Sequence, residues 1–226
     1  MPQATSIQTE VKWSDALASG KLDPAIWELH ADGDFSERLV EVLDSRRLRL
    51  RAATMETRDD TVKFFGAHTR QSFALKDARI AANLDWNNQS NGCYMSAGLI
   101  LAPDSTTHNP LSGSDWLKVE YIGVPPGLKA RIDISIKKDG RERILFNEGW
   151  PEKHRAGRPI AVQHLEIATH DGQIKILEND NIIYESKESE LSFERGHLYL
   201  QMSSHSNYLA REIYFSAIRI SEHAPK

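Results

Sequence analysis

From Arg38 onward the chain alternates apolar and polar residues over short runs, the period of a strand with one buried face. Val40 and Val42, then Leu48 and Leu50, predict two strands, and the turn formers Asp44 and Ser45 between them make the pair a hairpin. Further strands are expected at 62–69, 79–86 and 94–101, broken by the polar stretch 87–92 and by Pro103. A meander follows at 116–122, 129–137 and 141–146, with Pro125-Pro126-Gly127 and Asp139-Gly140 at its breaks. An Asp-Gly pair suits the positive φ of a two-residue hairpin turn. Segments 162–168, 174–177 and 182–184 continue through Asp171-Gly172 and Asn179-Asp180, and 198–202 and 212–220 close the pattern. Ahead of all this, 13–27 carries Ser14, Asp15, Gly20 and Pro24 and reads as a loop or one helical turn.

Turn signals about every ten residues, with no helices alternating between the strands, favour an antiparallel double sheet over a parallel α/β fold. The expected class is all-β, a two-sheet antiparallel jelly-roll sandwich. At 226 residues the chain fits one such domain over 1–226, with 1–26 a partly irregular lead. A hydrophobic share of 40% against 27% charged residues supports a packed core. The formal charge of -4 provides no field for a phosphate backbone, so nucleic acid is not an expected partner. Arg46, Arg47, Arg49 and Arg51 alternate with Leu48 and Leu50 and read as the solvated face of a strand.

Cys93 is the only cysteine, which excludes an intrachain disulfide and a Cys-rich zinc site, and it reads as buried filler. The polar stretch 1–10 lacks a secretory apolar segment, and no run is long enough to span a membrane. A soluble protein is expected, cytoplasmic as written and secreted if a signal peptide has been removed.

Three stretches carry a family likeness: Arg47-Leu48-Arg49-Leu50, the hairpins from Leu165-Glu166-Ile167 to Ile182-Ile183-Tyr184, and the closing run from Glu212 to Ile220. In order and sense they resemble the first core strand, the meander and the returning terminal strand of the concanavalin A-like lectin and glucanase superfamily. That resemblance implies a concave sheet that holds a saccharide, in a fold shared by lectins, glycosidases and polysaccharide lyases, and by itself it fixes no activity.

Cleavage of a glycosidic bond by a retaining enzyme needs two carboxylates on one face. The E-x-D-x-x-E string that laminarinase-like relatives carry on one strand is absent here. Asp85 beside Trp86 and Glu148 near Trp150 remain as acids. A lyase needs a group to neutralise the uronate together with a base and an acid, commonly His and Tyr. Gln163-His164 loosely resembles the Gln-x-His string of alginate-lyase-like jelly rolls, but adjacent strand residues point to opposite faces. His164 and Glu166 share one face of a strand, and His68 and Arg70 share a face of another, so these four are the candidate catalytic residues.

Sugar rings also need aromatic surfaces, and Trp86, Trp116, Trp150 and Tyr208 fall at or beside loops. Asp32-Gly33-Asp34 offers oxygen ligands for a structural calcium ion, with Asp32 and Asp34 as the candidates. No H-E-x-x-H, Gly-rich phosphate loop or G-x-S-x-G elbow is present. The expectation is a carbohydrate-recognising β-sandwich that binds an oligo- or polysaccharide in a groove on its concave sheet. One alternative is a glycan-cleaving enzyme of the same fold, either a lyase or a hydrolase drawing carboxylates from separate strands. A structural or oligomerisation module pairing through a sheet edge is the other.

Overall fold

In a computed structural model of the chain, the described residues are 9–14, 17, 20–32, 35–43, 46–54, 62–85, 95–103, 109–123, 131–147, 162–205 and 211–223. They contain sixteen strands and one short 3-10 turn, Pro110–Ser112. In order the strands are β1 (Thr9–Ser14), β2 (Trp27–Asp32), β3 (Phe35–Leu43), β4 (Arg47–Thr54), β5 (Val62–Thr69), β6 (Phe73–Ala74), β7 (Asp77–Asp85) and β8 (Met95–Ala102). There follow β9 (Trp116–Gly123), β10 (Arg131–Lys138), β11 (Arg141–Asn147), β12 (Gln163–His170), β13 (Gln173–Glu178), β14 (Asn181–Glu185), β15 (Arg195–His205) and β16 (Arg211–His223).

Two eight-stranded sheets stack face to face. The first runs β14-β13-β12-β7-β16-β4-β3, with β1 also on β16; the second runs β11-β10-β9-β8-β15-β5-β2, with β6 also on β15. Every recorded strand pair is antiparallel. The long strand β16 gives one edge to β4 along Arg211–Phe215 and to β1 along Arg219–His223.

Alternation decides which side chains enter the core. Leu48, Leu50, Ile80, Leu84, Leu165, Ile167, Ile213 and Phe215 of the first sheet meet Leu99, Leu117, Val119, Ile132, Ile134, Leu198, Leu200 and Met202 of the second. With these inward, the alternate residues of each strand must face outward. The two-residue turns sit where the sequence places them: Asp139 and Gly140 have φ of 50° and 77°. Asp171-Gly172 and Asn179-Asp180 share this left-handed geometry, as tight hairpins require.

Two features differ from the sequence expectation. Trp13 and Ser14 belong to β1 rather than to a loop, because the end of β16 offers them an unpaired edge. Strand β2 was likewise not anticipated, and it completes the edge of the second sheet beside β5. Among the described residues no helix is long and apolar enough to cross a membrane.

Candidate functional site

The outer face of the second sheet is polar yet withdrawn from solvent. Because register fixes cross-strand neighbours, one crosswise row reads Asp133, Glu120, Gly98, Gln201, Gly66, His30 over β10, β9, β8, β15, β5 and β2. The adjoining row reads Ser135, Lys118, Ile100, Tyr199, His68, Glu28. Exposure is 3% at His30 and His68, 4% at Ser135, 5% at Gln201 and 0% at Tyr199. An outward strand position in the middle of a water-washed sheet would not be so covered, and buried polar groups carry a cost unless something pairs with them.

One half of this face is ionic. Glu120 and Asp133 are direct cross-strand neighbours, a relation that sets Cβ atoms about 5 Å apart. Each also faces a cation on its own strand: Lys118 Nζ lies 2.5 Å from Glu120 Oε1, and Arg131 Nη2 lies 3.2 Å from Asp133 Oδ2. Burial pushes the Asp133 carboxyl above its ordinary value of 3.8; Arg131 pulls the other way, Glu120 adds to the rise and Lys118 opposes it. Asp133 Oδ1 is buried and has no hydrogen-bond partner among the described residues.

The other half is aromatic. The His68 ring stacks on Tyr199 with centroids 4.7 Å apart, and His30 meets both edge-on at 5.4 and 5.1 Å. Tyr199 continues into a small outer cluster with Ile100, Ala102 and Trp116, against which Leu111 packs. Gly66 and Gly98 flank Gln201 in the first row, and a Cβ at either would run into the backbone of the adjacent strand, at the Leu200 carbonyl and the Val119 carbonyl respectively. Glycine is therefore required for the close strand approach at both. Ser96 and Ser203 hydroxyls bond to each other at one side of this row.

The candidate residues read from sequence separate between the two sheets. His68 lies on this face, and Arg70 follows it, bound to Glu28 at 3.1 Å. His164 and Glu166 share a face as expected, but it is the outer face of the first sheet, on the opposite side of the sandwich. There His164 Nδ1 is 2.7 Å from Asn83 Oδ1 and Glu166 pairs with Arg79 at 3.3 Å. The four therefore lie as two separate pairs, His68 with Arg70 at the end of β5 and His164 with Glu166 on β12. The split arises because β5 and β12 sit in different sheets, a long-range fact that no local period carries.

Trp116 is on the candidate face but only 2% exposed, packed in the outer cluster with Tyr199 and with its Nε1 donating to the Leu111 carbonyl at 3.2 Å. Trp86, Trp150, Tyr208 and Cys93 lie outside the described residues. Asp32 accepts a hydrogen bond from the Asn109 amide at 3.0 Å, while Asp34 lies outside the described residues, so the calcium site stays a sequence expectation. Among the described residues no group of three or more His, Cys, Asp or Glu side chains could hold a metal ion.

Sequence reasoning missed Lys118, Glu120, Arg131, Asp133, Tyr199 and Gln201. The available signal was polar residues at every second position in strands otherwise rich in Leu, Ile and Val, namely Lys118-x-Glu120, Arg131-x-Asp133-x-Ser135 and Tyr199-x-Gln201-x-Ser203.

No protein-family model matches the chain, and no curated protein matches it either. Solved structures do. The catalytic domain of an endo-1,3-beta-glucanase (laminarinase) from Thermotoga petrophila RKU-1 superposes with a TM-score of 0.67 at 12% identity, over 96% of this chain and 99% of that one. An endo-beta-1,3-glucanase from Pyrococcus furiosus gives 0.65 at 12% identity over 100% of both chains. A beta-glucanase from Bacillus licheniformis gives 0.58 at 11% over 90% and 94%. Identities this low speak for architecture alone. With its two antiparallel sheets and this likeness along nearly its whole length, the chain has a two-sheet antiparallel jelly-roll sandwich fold of the concanavalin A-like kind.

Proposed function

We propose that the protein cleaves a glycan on the outer face of its second sheet, as a hydrolase whose two carboxylates come from neighbouring strands. The observation that carries this is the facing pair Glu120 and Asp133 on a sheltered polar surface. The similar structures from Thermotoga petrophila, Pyrococcus furiosus and Bacillus licheniformis are glucanases, which supports glycan cleavage over glycan recognition alone.

The chemistry assigned to the pair follows from position and environment. Side chains on directly opposed strand positions are close enough for the retaining arrangement, in which one carboxylate attacks the anomeric carbon and the other protonates the leaving oxygen. Asp133, whose carboxyl is pushed up by burial, is the proton donor. Glu120 is the nucleophile, forming a bond to the anomeric carbon as the glycosidic C–O bond breaks. A water deprotonated by Asp133 then displaces Glu120 and restores both groups.

A second reading, recognition without turnover, draws support from Lys118 and Arg131, which already occupy oxygens of both carboxylates. Incubation with a panel of neutral and uronate polysaccharides separates the two readings. Release of reducing ends, lowered about 10²-fold or more in Glu120→Gln and Asp133→Asn, is the expected result. Unsaturated ends would signal a lyase, and a rise in melting temperature without any new ends would establish recognition alone.

A further inference from the structure

The border of a sheet offers a row of unpaired backbone groups to any further strand, and folded proteins blunt it with bulges, charges or short strands. Nearly every border of this sandwich is blunted. Pairing breaks register along β14, β11, β3 and β1, and β6 has only two residues. Strand β2 is the exception: it ends the second sheet and pairs with β5 along its whole length, Trp27–Asp32, without a break. Among the described residues no strand lies on its other side.

One hydrogen bond tells which backbone groups face that free side. The Arg70 backbone N–H donates to the Ile26 carbonyl at 2.7 Å, so these two form a hydrogen-bonded pair at the start of the β2–β5 ladder. Such pairs alternate along antiparallel strands, so Glu28 and His30 also turn their backbone groups to β5. Trp27, Leu29 and Ala31 therefore direct theirs outward. Leu29, midway between the other two, is 54% exposed although it lies opposite the core residue Ala67. A lone exposed leucine is ordinary; this one sits at the centre of the one regular border.

We infer that β2 is a dimer interface, pairing antiparallel with β2 of a second copy about a two-fold axis through Leu29. An axis perpendicular to the joined sheet keeps each residue on its own face, which leaves two registers that oppose most of the strand. Centred on His30, Glu28–Asp32 of the two copies face each other, and Glu28 meets Asp32 of the partner subunit. Like charges directly opposed destabilise a sheet, so this register is disfavoured. Centred on Leu29, Trp27–Ala31 face each other: Leu29 meets the partner's Leu29, and Glu28 meets the partner's His30. This second register opposes no like charges, completes the outward backbone groups of Trp27, Leu29 and Ala31 in both copies, and covers the leucine. The occupant is a second copy because the strand is its own complement, as a two-fold contact requires. The inference is independent of the cleavage reading.

Sedimentation velocity over a range of concentrations compares wild type with Leu29→Lys, a charge at the axis, and with Ile182→Lys on the bulged border β14, where the side chain is similarly exposed at 55%. Expected are wild type at twice the 25.6 kDa of one chain, Leu29→Lys at the single-chain mass with unchanged circular dichroism, and Ile182→Lys like wild type. A wild type that stays at the single-chain mass overturns the inference, as does a dimer that Leu29→Lys retains or that Ile182→Lys breaks. The axis is read separately from Leu29→Cys in a Cys93→Ser background, Cys93 being the only native cysteine. Facing hydrogen-bonded residues have Cα atoms about 5.5 Å apart, within disulfide reach, so mild oxidation should give a covalent dimer. No cross-link would overturn the placement of the axis at Leu29.

Discussion

Asp133 is a carboxylate in surroundings that penalise its charge, and burial is the larger reason. Its folded pKa lies above the ordinary 3.8, so the folded chain holds that proton more tightly than the unfolded chain does. The stability this contributes is complete below 3.8 and is lost as pH rises through the raised value. Asp133→Asn cannot ionise there, so its melting temperature relative to wild type should climb across that window and level off above it. A pH-independent difference would show that Asp133 is not strained in this way. The residue tolerated at a cost in stability is also the one assigned the proton transfer, as expected where a site is built for chemistry rather than for the fold. Arg49 offers the contrast on the first sheet, held between Glu41 at 3.0 Å and Glu212 at 2.9 Å.

At the scale of elements, two irregularities have measurable consequences. Strand β16 carries a bulge between Ser216 and Arg219, and Ala217 within it has φ of 50°, a left-handed conformation strained for any residue with a Cβ. Ala217→Gly should stabilise the protein by about 1 kcal/mol, read as a higher urea midpoint at unchanged slope; a lower midpoint would contradict the strain. Asp115 ties three connections together: it receives the hydroxyls of Ser114 and Ser192 and the Asp139 backbone N–H. Burial alone would raise its pKa, but those hydrogen bonds and the charge of Lys138 outweigh burial and hold it below 3.8. Its support is therefore present above 3.8 and lost as pH falls through the lowered value. Asp115→Asn should speed amide exchange at Asp139 near neutral pH and narrow the difference from wild type in strong acid.

Much of the element layout was open to sequence reading: the alternation of Leu48 with Leu50 and of Ile132 with Ile134, and the turn pairs Asp139-Gly140 and Asp171-Gly172, are local signals with local causes. Strand β1 was not, since Trp13 and Ser14 are extended only because β16 runs past the end of β4 and leaves an edge free. The site was harder still. Lys118-x-Glu120 and Tyr199-x-Gln201 have the period of any solvated strand face, and only the register of six strands shows that they share one covered surface.

For the molecule as a whole, stability rests on the layer between the sheets. Leu200, fully buried at the centre of β15, illustrates it: Leu200→Ala should cost about 2–5 kcal/mol by chemical denaturation, and a loss below 1 kcal/mol would mean that the two layers are not closely packed there. The two outer faces divide the remaining work. That of the first sheet is tied up in pairs such as Arg47 with Asp85, Arg79 with Glu166 and His164 with Asn83. That of the second gathers facing carboxylates, buried imidazoles and unmet acceptors. The direct test is the rate of reducing-end release from a neutral polysaccharide by Glu120→Gln set beside that by His164→Ala. Function on the second sheet predicts that Glu120→Gln loses about 10²-fold or more while His164→Ala keeps the wild-type rate. Loss in His164→Ala with Glu120→Gln unaffected would place the chemistry on the other side of the sandwich and contradict the account.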